Sequence, residues 1–133
     1  MPRREALQAL NEIDVHGQLV DHPYTVKYYD SFISGTKVNI VMEFCQNGDL
    51  QGLLRSKRCT NRPIQESHVL KILIQICLGV LALHEKRILH RDLKTQNVFL
   101  TKQNEIRIGD FGLAKQSVEN VEQATTSAFP PDQ

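Results

Sequence analysis

Three oxygen-bearing side chains, Asp92, Asn97 and Asp110, lie in the stretch ILHRDLKTQNVFLTKQNEIRIGDFGLAK, residues 88–115. Two short, mainly apolar runs, VFL and IRI, separate them, and turn-forming residues flank each run. Such a run is typical of a buried strand. A carboxylate fixed at the end of a strand is costly unless a cation meets it. The pattern therefore raises the question of which cation meets these side chains and what it does there.

A longer pattern surrounds these residues. HRDLKTQN begins at His90, and DFG begins thirteen residues after Asn97. Together they resemble the catalytic loop and metal-binding motif of protein kinases. Phosphoryl transfer needs a positioned hydroxyl and neutralised phosphate charge, with little covalent work by the protein. The resemblance makes Asp92 the proton-accepting base and Lys94 a contact of the transferring phosphoryl group. It makes Asn97 and Asp110 the Mg²⁺ ligands.

The resemblance extends from residue 4 to about residue 116. This span is similar to a protein kinase from its αC helix to the start of its activation segment. The segments REALQALNEIDV, HPYTVKYYDSF, IVMEFCQNGDL and HRDLKTQNVFL are most similar to the NIMA-related (NEK) Ser/Thr kinases. Lys94 in HRDLK is the form typical of Ser/Thr kinases. The resemblance implies ATP and Mg²⁺ as cofactors and a protein substrate with a Ser or Thr hydroxyl.

The resemblance also assigns residues around the nucleotide. Glu12 matches the αC glutamate that pairs with a phosphate-gripping lysine; the alternative is that Glu12 faces solvent. Met42 matches the gatekeeper. Glu43 and Cys45 match hinge positions whose backbone groups bind adenine. Cys45 is either a reactive thiol or, as is commoner, a small, partly buried apolar residue.

Two further assignments concern control of the site. His90 would brace the catalytic loop, and Arg91 would pair with a phosphate on the activation segment. Thr125, Thr126 and Ser127 lie where such a phosphate is often added. The alternative is that these three are ordinary residues of a polar tail.

Several kinase elements are missing from these 133 residues. The seven glycines form no G-x-G-x-x-G, no V-A-I-K-like run precedes Glu12, and no A-P-E follows DFG. We therefore expect a partial kinase domain with little or no turnover alone. One alternative is a non-catalytic kinase-like fragment that docks on another kinase or a scaffold. Another is a translated fragment without a stable fold.

Hydrophobic periodicity predicts the elements that position these residues. We expect a helix over residues 4–20, a hairpin from TVKYYDSFI and KVNIVMEF through Ser34-Gly35-Thr36, and a short helix DLQGLLRSKR. A long helix over residues 66–87 and short strands ILH, NVFL and EIRI follow. The order indicates an α+β class and an incomplete protein-kinase-like fold. We assign residues 4–44 to the N-lobe, 45–116 to the C-lobe and 117–133 to an activation-segment-like or disordered tail.

The long helix is expected to lack neighbours for part of its apolar surface. Its segment VLKILIQICLGVLAL has 15 residues, short of the ~20 that a membrane span needs. It is therefore predicted to be a buried helix, and wet Leu, Ile and Val side chains would forfeit about 1.5–3 kcal/mol each.

Composition limits the partners. Sixteen Lys and Arg against fifteen Asp and Glu give no excess charge for nucleic acid or an anionic membrane. The basic cluster Arg55, Lys57, Arg58 and Arg62 is most simply a solvated helix end. Cys45, Cys59 and Cys77 form no zinc or disulfide pattern, which indicates a reducing compartment. We expect a cytoplasmic protein, with nuclear or cytoskeletal association as the alternative.

Overall fold

The computed structural model describes residues 3–19 and 22–116. Thr125, Thr126 and Ser127 lie outside the described residues. The elements, in chain order, are α1 (Arg3–Gln18), β1 (Tyr28–Ser34), β2 (Lys37–Met42), α2 (Leu50–Cys59), α3 (Glu66–Glu85), β3 (Ile88–Leu89), a 3-10 helix (Thr95–Asn97), β4 (Val98–Leu100), β5 (Ile106–Ile108) and β6 (Lys115–Gln116). This mixture of helices and small antiparallel sheets confirms the predicted α+β class.

The first hairpin forms as predicted, with a tighter loop. β1 and β2 pair antiparallel, and the pairing reaches Ser34 opposite Lys37. The loop is therefore only Gly35 and Thr36. Gly35 has a φ of +61°, a conformation that costs glycine little and that two-residue hairpin loops require.

The predicted short helix α2 begins at a defined cap. Asp49 is its N-cap, and its carboxylate accepts a 2.7 Å hydrogen bond from the Gly52 N–H. This bond satisfies one of the free amide groups at the helix start. The cap also fixes α2 beside β4, since Asp49 forms a bridge with Phe99.

The core lies where α3 meets the small strands. Leu83, Ile88, Leu100, Ile106, Ile108 and Phe111 are at most 1% exposed. Gly79 allows α3 to approach β5 closely, because a Cβ atom there would lie 2.7 Å from Ile108 Cδ1. The chain before β1 completes this core, with the Val26 N–H donating to the Ile108 carbonyl at 2.9 Å.

The opposite face of α3 lies in solvent, as expected for a helix that lacks neighbours. Four of its 20 residues are buried, so the predicted burial of this helix is not found among the described residues. Val69, Leu70, Leu73, Ile74, Leu78 and Leu81 are 41–58% exposed. The helix has 20 residues, five more than the apolar segment, so length no longer argues against a membrane span. By length and composition it could cross a membrane, a test that core helices of soluble proteins also pass.

Two small antiparallel sheets, each of two strands, frame the segments that carry Asp92, Asn97 and Asp110. β4 pairs with β5 through a turn at Lys102-Gln103-Asn104, where Asn104 has a φ of +61°. β3 pairs with β6, a strand that the sequence did not predict because Lys115 and Gln116 show no apolar alternation.

Candidate active site

The catalytic loop begins at a buried histidine that joins two segments. His90 is 6% exposed, and its Nε2 lies 2.8 Å from the Gly109 carbonyl oxygen. Its Nδ1 accepts a 3.2 Å hydrogen bond from the Asp92 N–H. These partners place the ring proton on Nε2. His90 thus links the loop that carries Asp92 to the strand that leads to Asp110, which is the bracing that the sequence predicted.

Asp92, Lys94 and Asn97 lie together in this loop. The Asn97 Nδ2 donates to the Asp92 carbonyl oxygen at 2.8 Å and to Asp92 Oδ2 at 3.2 Å. Asn97 is 4% exposed, and its amide oxygen has no hydrogen-bond donor within residues 3–19 and 22–116. The Lys94 Nζ lies 3.5 Å from Asp92 Oδ1, and the lysine side chain is 50% exposed. The Asn97 amide therefore orients the Asp92 carboxylate through its nitrogen, and its oxygen remains available to a cation.

Asp110 follows β5 at a constrained backbone position. Its φ is +57°, in the left-handed region that non-glycine residues seldom adopt. The preceding Gly109 donates its N–H to the Asn97 carbonyl at 3.0 Å. The following Phe111 is fully buried, with its ring edge-on to His90 and His16. The buried residues Gly109 and Phe111 thus hold the exposed Asp110 carboxylate in place.

A cavity of about 570 Å³ opens beside Asp110. Residues from α1, the end of β2, the start of α2, β4 and the end of β5 line it: Glu12, Val26, Met42, Glu43, Phe44, Cys45, Gly48, Asp49, Phe99, Gly109 and Asp110. It therefore brings together five of the predicted site residues. Asp92, Lys94 and Asn97 are not in its lining, and hydrogen bonds of Gly109 with Asn97 and with His90 connect their loop to it.

The hinge segment leaves two backbone groups free at this cavity. Within the described ranges, the Glu43 carbonyl oxygen and the Cys45 N–H make no hydrogen bond. The Glu43 carboxylate is occupied, because Arg107 Nε lies 3.2 Å from Oε1 and the Lys27 N–H donates to Oε2 at 3.2 Å. A free acceptor and a free donor one residue apart suit the edge of a planar heterocycle such as adenine.

Glu12 lies at the back of the cavity and does not face solvent. Its side chain is 17% exposed, and Oε1 lies 3.8 Å from Nε2 of His16, one helical turn later on α1. In the part of the chain that the structure describes, Glu12 has no other cationic partner, and His16 is charged only when protonated. The solvent-facing alternative for Glu12 is therefore wrong, and its pairing with a lysine stays a prediction.

The surroundings of Cys45 disfavour its thiolate form. Burial raises the pKa of this thiol, the nearby Glu43 carboxylate raises it further, and Arg107 only partly offsets the effect. The thiolate is the nucleophilic form of cysteine. The structure therefore favours the apolar-residue interpretation.

Arg91 borders a second, basic cavity. This cavity of about 500 Å³ lies between α1 and residues 112–116, and its lining includes Arg4, Arg91 and Lys115. Arg91 is held there by its Nε, which donates to the Leu113 carbonyl at 2.7 Å. Three cations around a concave surface suit a phosphate group. Pairing with a modified residue of the chain stays a prediction.

The donor set fits a magnesium ion bound together with a nucleotide. Among the described residues, no group of three or more His, Cys, Asp or Glu could hold a metal alone. Asp110 and Asn97 offer one carboxylate and one amide oxygen, and Mg²⁺ in phosphate-transfer sites is commonly held by one or two protein ligands plus phosphates. The apolar walls and the free hinge groups fit the nucleotide base.

Two site residues escaped prediction from sequence. Asn11 on α1 donates to carbonyl groups of residues 111–114, and Arg107 on β5 pairs with Glu43. Arg107 could have been suspected, because a cation inside an otherwise apolar strand needs an anion. Asn11 gave no signal, since its partners are about 100 residues away.

Comparison with known proteins agrees with this geometry. The family model described as the protein kinase domain matches residues 2–131. Among curated relatives, serine/threonine-protein kinase Nek1 of Mus musculus is 36% identical over 98% of the chain, which spans 11% of that protein. Nek11 of Homo sapiens is 38% identical over 96% of the chain and 19% of the relative. Nek4 of Mus musculus is 42% identical over 96% of the chain and 16% of the relative.

The chain thus spans about a tenth to a fifth of these relatives, all of which are named as serine/threonine-protein kinases. The family match covers nearly every residue, including the catalytic loop and the segment after Asp110. The chain belongs to the protein kinase domain family, and its relatives include NEK serine/threonine-protein kinases.

Proposed function

We propose that this chain is the central part of a protein Ser/Thr kinase, which transfers the γ-phosphoryl group of ATP to a protein hydroxyl. The observation that carries the proposal is a cavity that combines the free hinge groups with Asp110, joined through the hydrogen bonds of Gly109 to the loop that holds the Asp92–Asn97 pair. Chemistry of this kind depends mainly on positioning and charge neutralisation.

Each residue has a role in this proposal. Asp92, oriented by the Asn97 amide, accepts the proton of the substrate hydroxyl. Lys94 stands 3.5 Å from the same carboxylate and contributes positive charge where the phosphoryl group passes. Asn97 and Asp110 hold Mg²⁺, which when bound neutralises phosphate charge. The Glu43 carbonyl and the Cys45 N–H bind the adenine edge.

The isolated 133 residues are proposed to turn over slowly or not at all. No glycine-rich phosphate loop or lysine preceding Glu12 occurs in this sequence. With a generic protein substrate and Mg-ATP, we expect transfer near background in both the wild type and Asp92→Asn. Robust transfer that Asp92→Asn abolishes would overturn this expectation.

Calorimetric titration with ATP, with and without Mg²⁺, tests the proposed function itself. We expect weak binding that strengthens clearly when Mg²⁺ is present, because Asp110 and Asn97 act through the metal. Identical affinity in both conditions would contradict a kinase-type site.

The second candidate function is a non-catalytic kinase-like fragment that docks on another kinase or a scaffold protein. The exposed apolar face of α3 favours it, because such faces mark interaction surfaces. The calorimetric test separates the two candidates, since a docking fragment needs no metal-dependent nucleotide affinity. For either candidate we propose a cytoplasmic location, which the three free cysteines support.

A further inference from the structure

We propose that Asn11 is a positioning residue that holds the turn after Asp110, and thereby keeps the Asp110 carboxylate at the cavity. The catalytic meaning of this role rests on the proposed function. The Asn11 Nδ2 donates to the carbonyl oxygens of Ala114 at 2.7 Å, Phe111 at 3.1 Å and Gly112 at 3.3 Å. Since an amide carries two hydrogens, at least one of them is shared between carbonyls.

Asp110 needs support on both sides because of its backbone. A non-glycine residue at a φ of +57° is strained, and such residues persist only when their surroundings fix them. On the N-terminal side, Gly109 is bonded through its N–H to Asn97 and through its carbonyl to His90.

On the C-terminal side the anchors are different. The Phe111 ring is buried, and the Ala114 N–H donates to the Phe111 carbonyl at 3.0 Å. The first anchor acts through the Phe111 side chain, and the second is a bond within the turn itself. Two side chains grip the backbone of this turn from elsewhere in the described chain: Arg91 bonds the Leu113 carbonyl alone, whereas Asn11 on α1 reaches three carbonyls, including that of Phe111 next to Asp110. Loss of the Asn11 bond would leave the Phe111–Gly112 peptide group, one residue beyond Asp110, held among the described residues only by the Ala114 N–H.

A simpler interpretation is that Asn11 only fastens α1 to the rest of the fold. That role would lower the free energy of unfolding without changing the metal site. The two interpretations differ in one observable, the part of the ATP affinity that depends on Mg²⁺. Positioning predicts that this part falls while the metal-free affinity stays unchanged.

Two substitutions and one control make the test. Asn11→Ala removes the donor and keeps a good helix former. Asn11→Asp has nearly the same shape, but sets a carboxylate against three carbonyl oxygens, so it should be worse than Asn11→Ala. The control is Gln18→Ala on the same helix, where the lost bond is a 3.2 Å exposed contact with Asp14. Circular dichroism confirms that each variant keeps its helices.

Two measurements are made on the full 133-residue chain. Calorimetry gives the ATP affinity with and without Mg²⁺, and hydrogen exchange gives the protection of residues 109–116. For Asn11→Ala we expect about a tenfold loss of the Mg²⁺-dependent affinity and about tenfold faster exchange at Ala114, the size of one lost hydrogen bond. Gln18→Ala should match the wild type in its Mg²⁺-dependent ATP affinity and in its exchange rates.

Three results would overturn the proposal. They are unchanged Mg²⁺ dependence in both Asn11 variants, an equal loss of affinity with and without the metal, and unchanged protection of residues 109–116. If the wild type itself shows no Mg²⁺-dependent affinity, the proposed function fails and exchange alone decides the role of Asn11. Faster exchange confined to residues 110–116 would then support the positioning role.

Discussion

Asn97 does two things at once in the catalytic loop. Its Nδ2 is used to orient Asp92, which leaves its oxygen as the atom that can face a metal. An amide suits this task better than a carboxylate, because it offers a donor and an acceptor on one rigid group. An asparagine at position 97 thus suits both the Asp92 carboxylate and a metal ion.

Cys45 provides a test at the residue scale. Its raised pKa means that the thiol keeps its proton to higher pH than an exposed cysteine does. Cys59 and Cys77 are exposed. At pH 8 we therefore expect iodoacetamide to alkylate Cys45 more slowly than the other two, and the difference to narrow as the pH rises. Mass spectrometry of the digested protein measures the three rates, and fastest labelling at Cys45 would contradict this picture.

The Arg107–Glu43 pair is expected to stabilise the hinge. Both side chains are largely buried, at 12% and 17% exposed, and Nε lies 3.2 Å from Oε1. Arg107→Ala would leave the carboxylate without its cation, at a cost of about 2 kcal/mol. Urea unfolding checks this, with Lys102→Ala in the exposed β4–β5 turn as the control. If Arg107→Ala lowers the free energy of unfolding no more than Lys102→Ala does, the ion pair contributes nothing to stability.

At the scale of elements, apolar periodicity predicted the helices, the first hairpin and the strands β3 to β5. It succeeded for the helices and for β3 to β5, each of which buries some of its apolar side chains, whereas the residues of the first hairpin are half-buried or exposed and its prediction rested on β-forming residues around Gly35. β6 was missed because its pairing with β3 is decided by backbone bonds and not by apolar side chains. The predicted site residues were placed through motif spacing, whereas Asn11 acts across 100 residues and leaves no local pattern. The role of Asn11 could therefore be inferred only from the folded structure.

Gly79 tests the packing of α3 on β5. A Cβ at this position would lie 2.7 Å from Ile108 Cδ1 and 2.9 Å from the Tyr24 carbonyl oxygen, and the backbone atom cannot move aside. We expect Gly79→Ala to destabilise the fold by about 1–3 kcal/mol.

Gly17 in α1 is the matched control for this substitution. Nothing lies within 4 Å of a Cβ built there. Gly17→Ala should therefore stabilise the protein by roughly 0.5–1 kcal/mol through helix propensity. Chemical unfolding of both variants gives the comparison. Stabilisation by both substitutions would mean that α3 does not approach β5 this closely.

At the scale of the whole molecule, the cavity lies between α1 and the end of β2 on one side and the start of α2, β4 and the end of β5 on the other. The segment before β1 connects these sides, with the Ile108 N–H donating to the Tyr24 carbonyl at 2.9 Å. Nearly all the fully buried side chains lie around β3 to β5, so this region holds the site in place. The apolar outer face of α3 is turned away from it.

That face is predicted to make the isolated chain self-associate. Leu73 and Ile74 are 53% and 58% exposed, and large exposed apolar patches drive association. Leu73→Gln combined with Ile74→Gln should lower the average mass in sedimentation velocity and leave unfolding nearly unchanged. Ile72→Gln, at a site that is 8% exposed, should instead destabilise the fold. Equal association of the double variant and the wild type would contradict the prediction.

The most direct test of a metal–nucleotide site uses Mn²⁺ in place of Mg²⁺. In nuclear magnetic resonance spectra of the chain with Mn²⁺ and ATP, relative to Mg²⁺ and ATP, we predict broadened amide signals for residues 92–97 and 109–111. The end of α2, around Arg58, should stay sharp. Asp110→Asn should remove most of the broadening at equal concentrations. Equal broadening in that variant, or broadening centred elsewhere, would contradict the account.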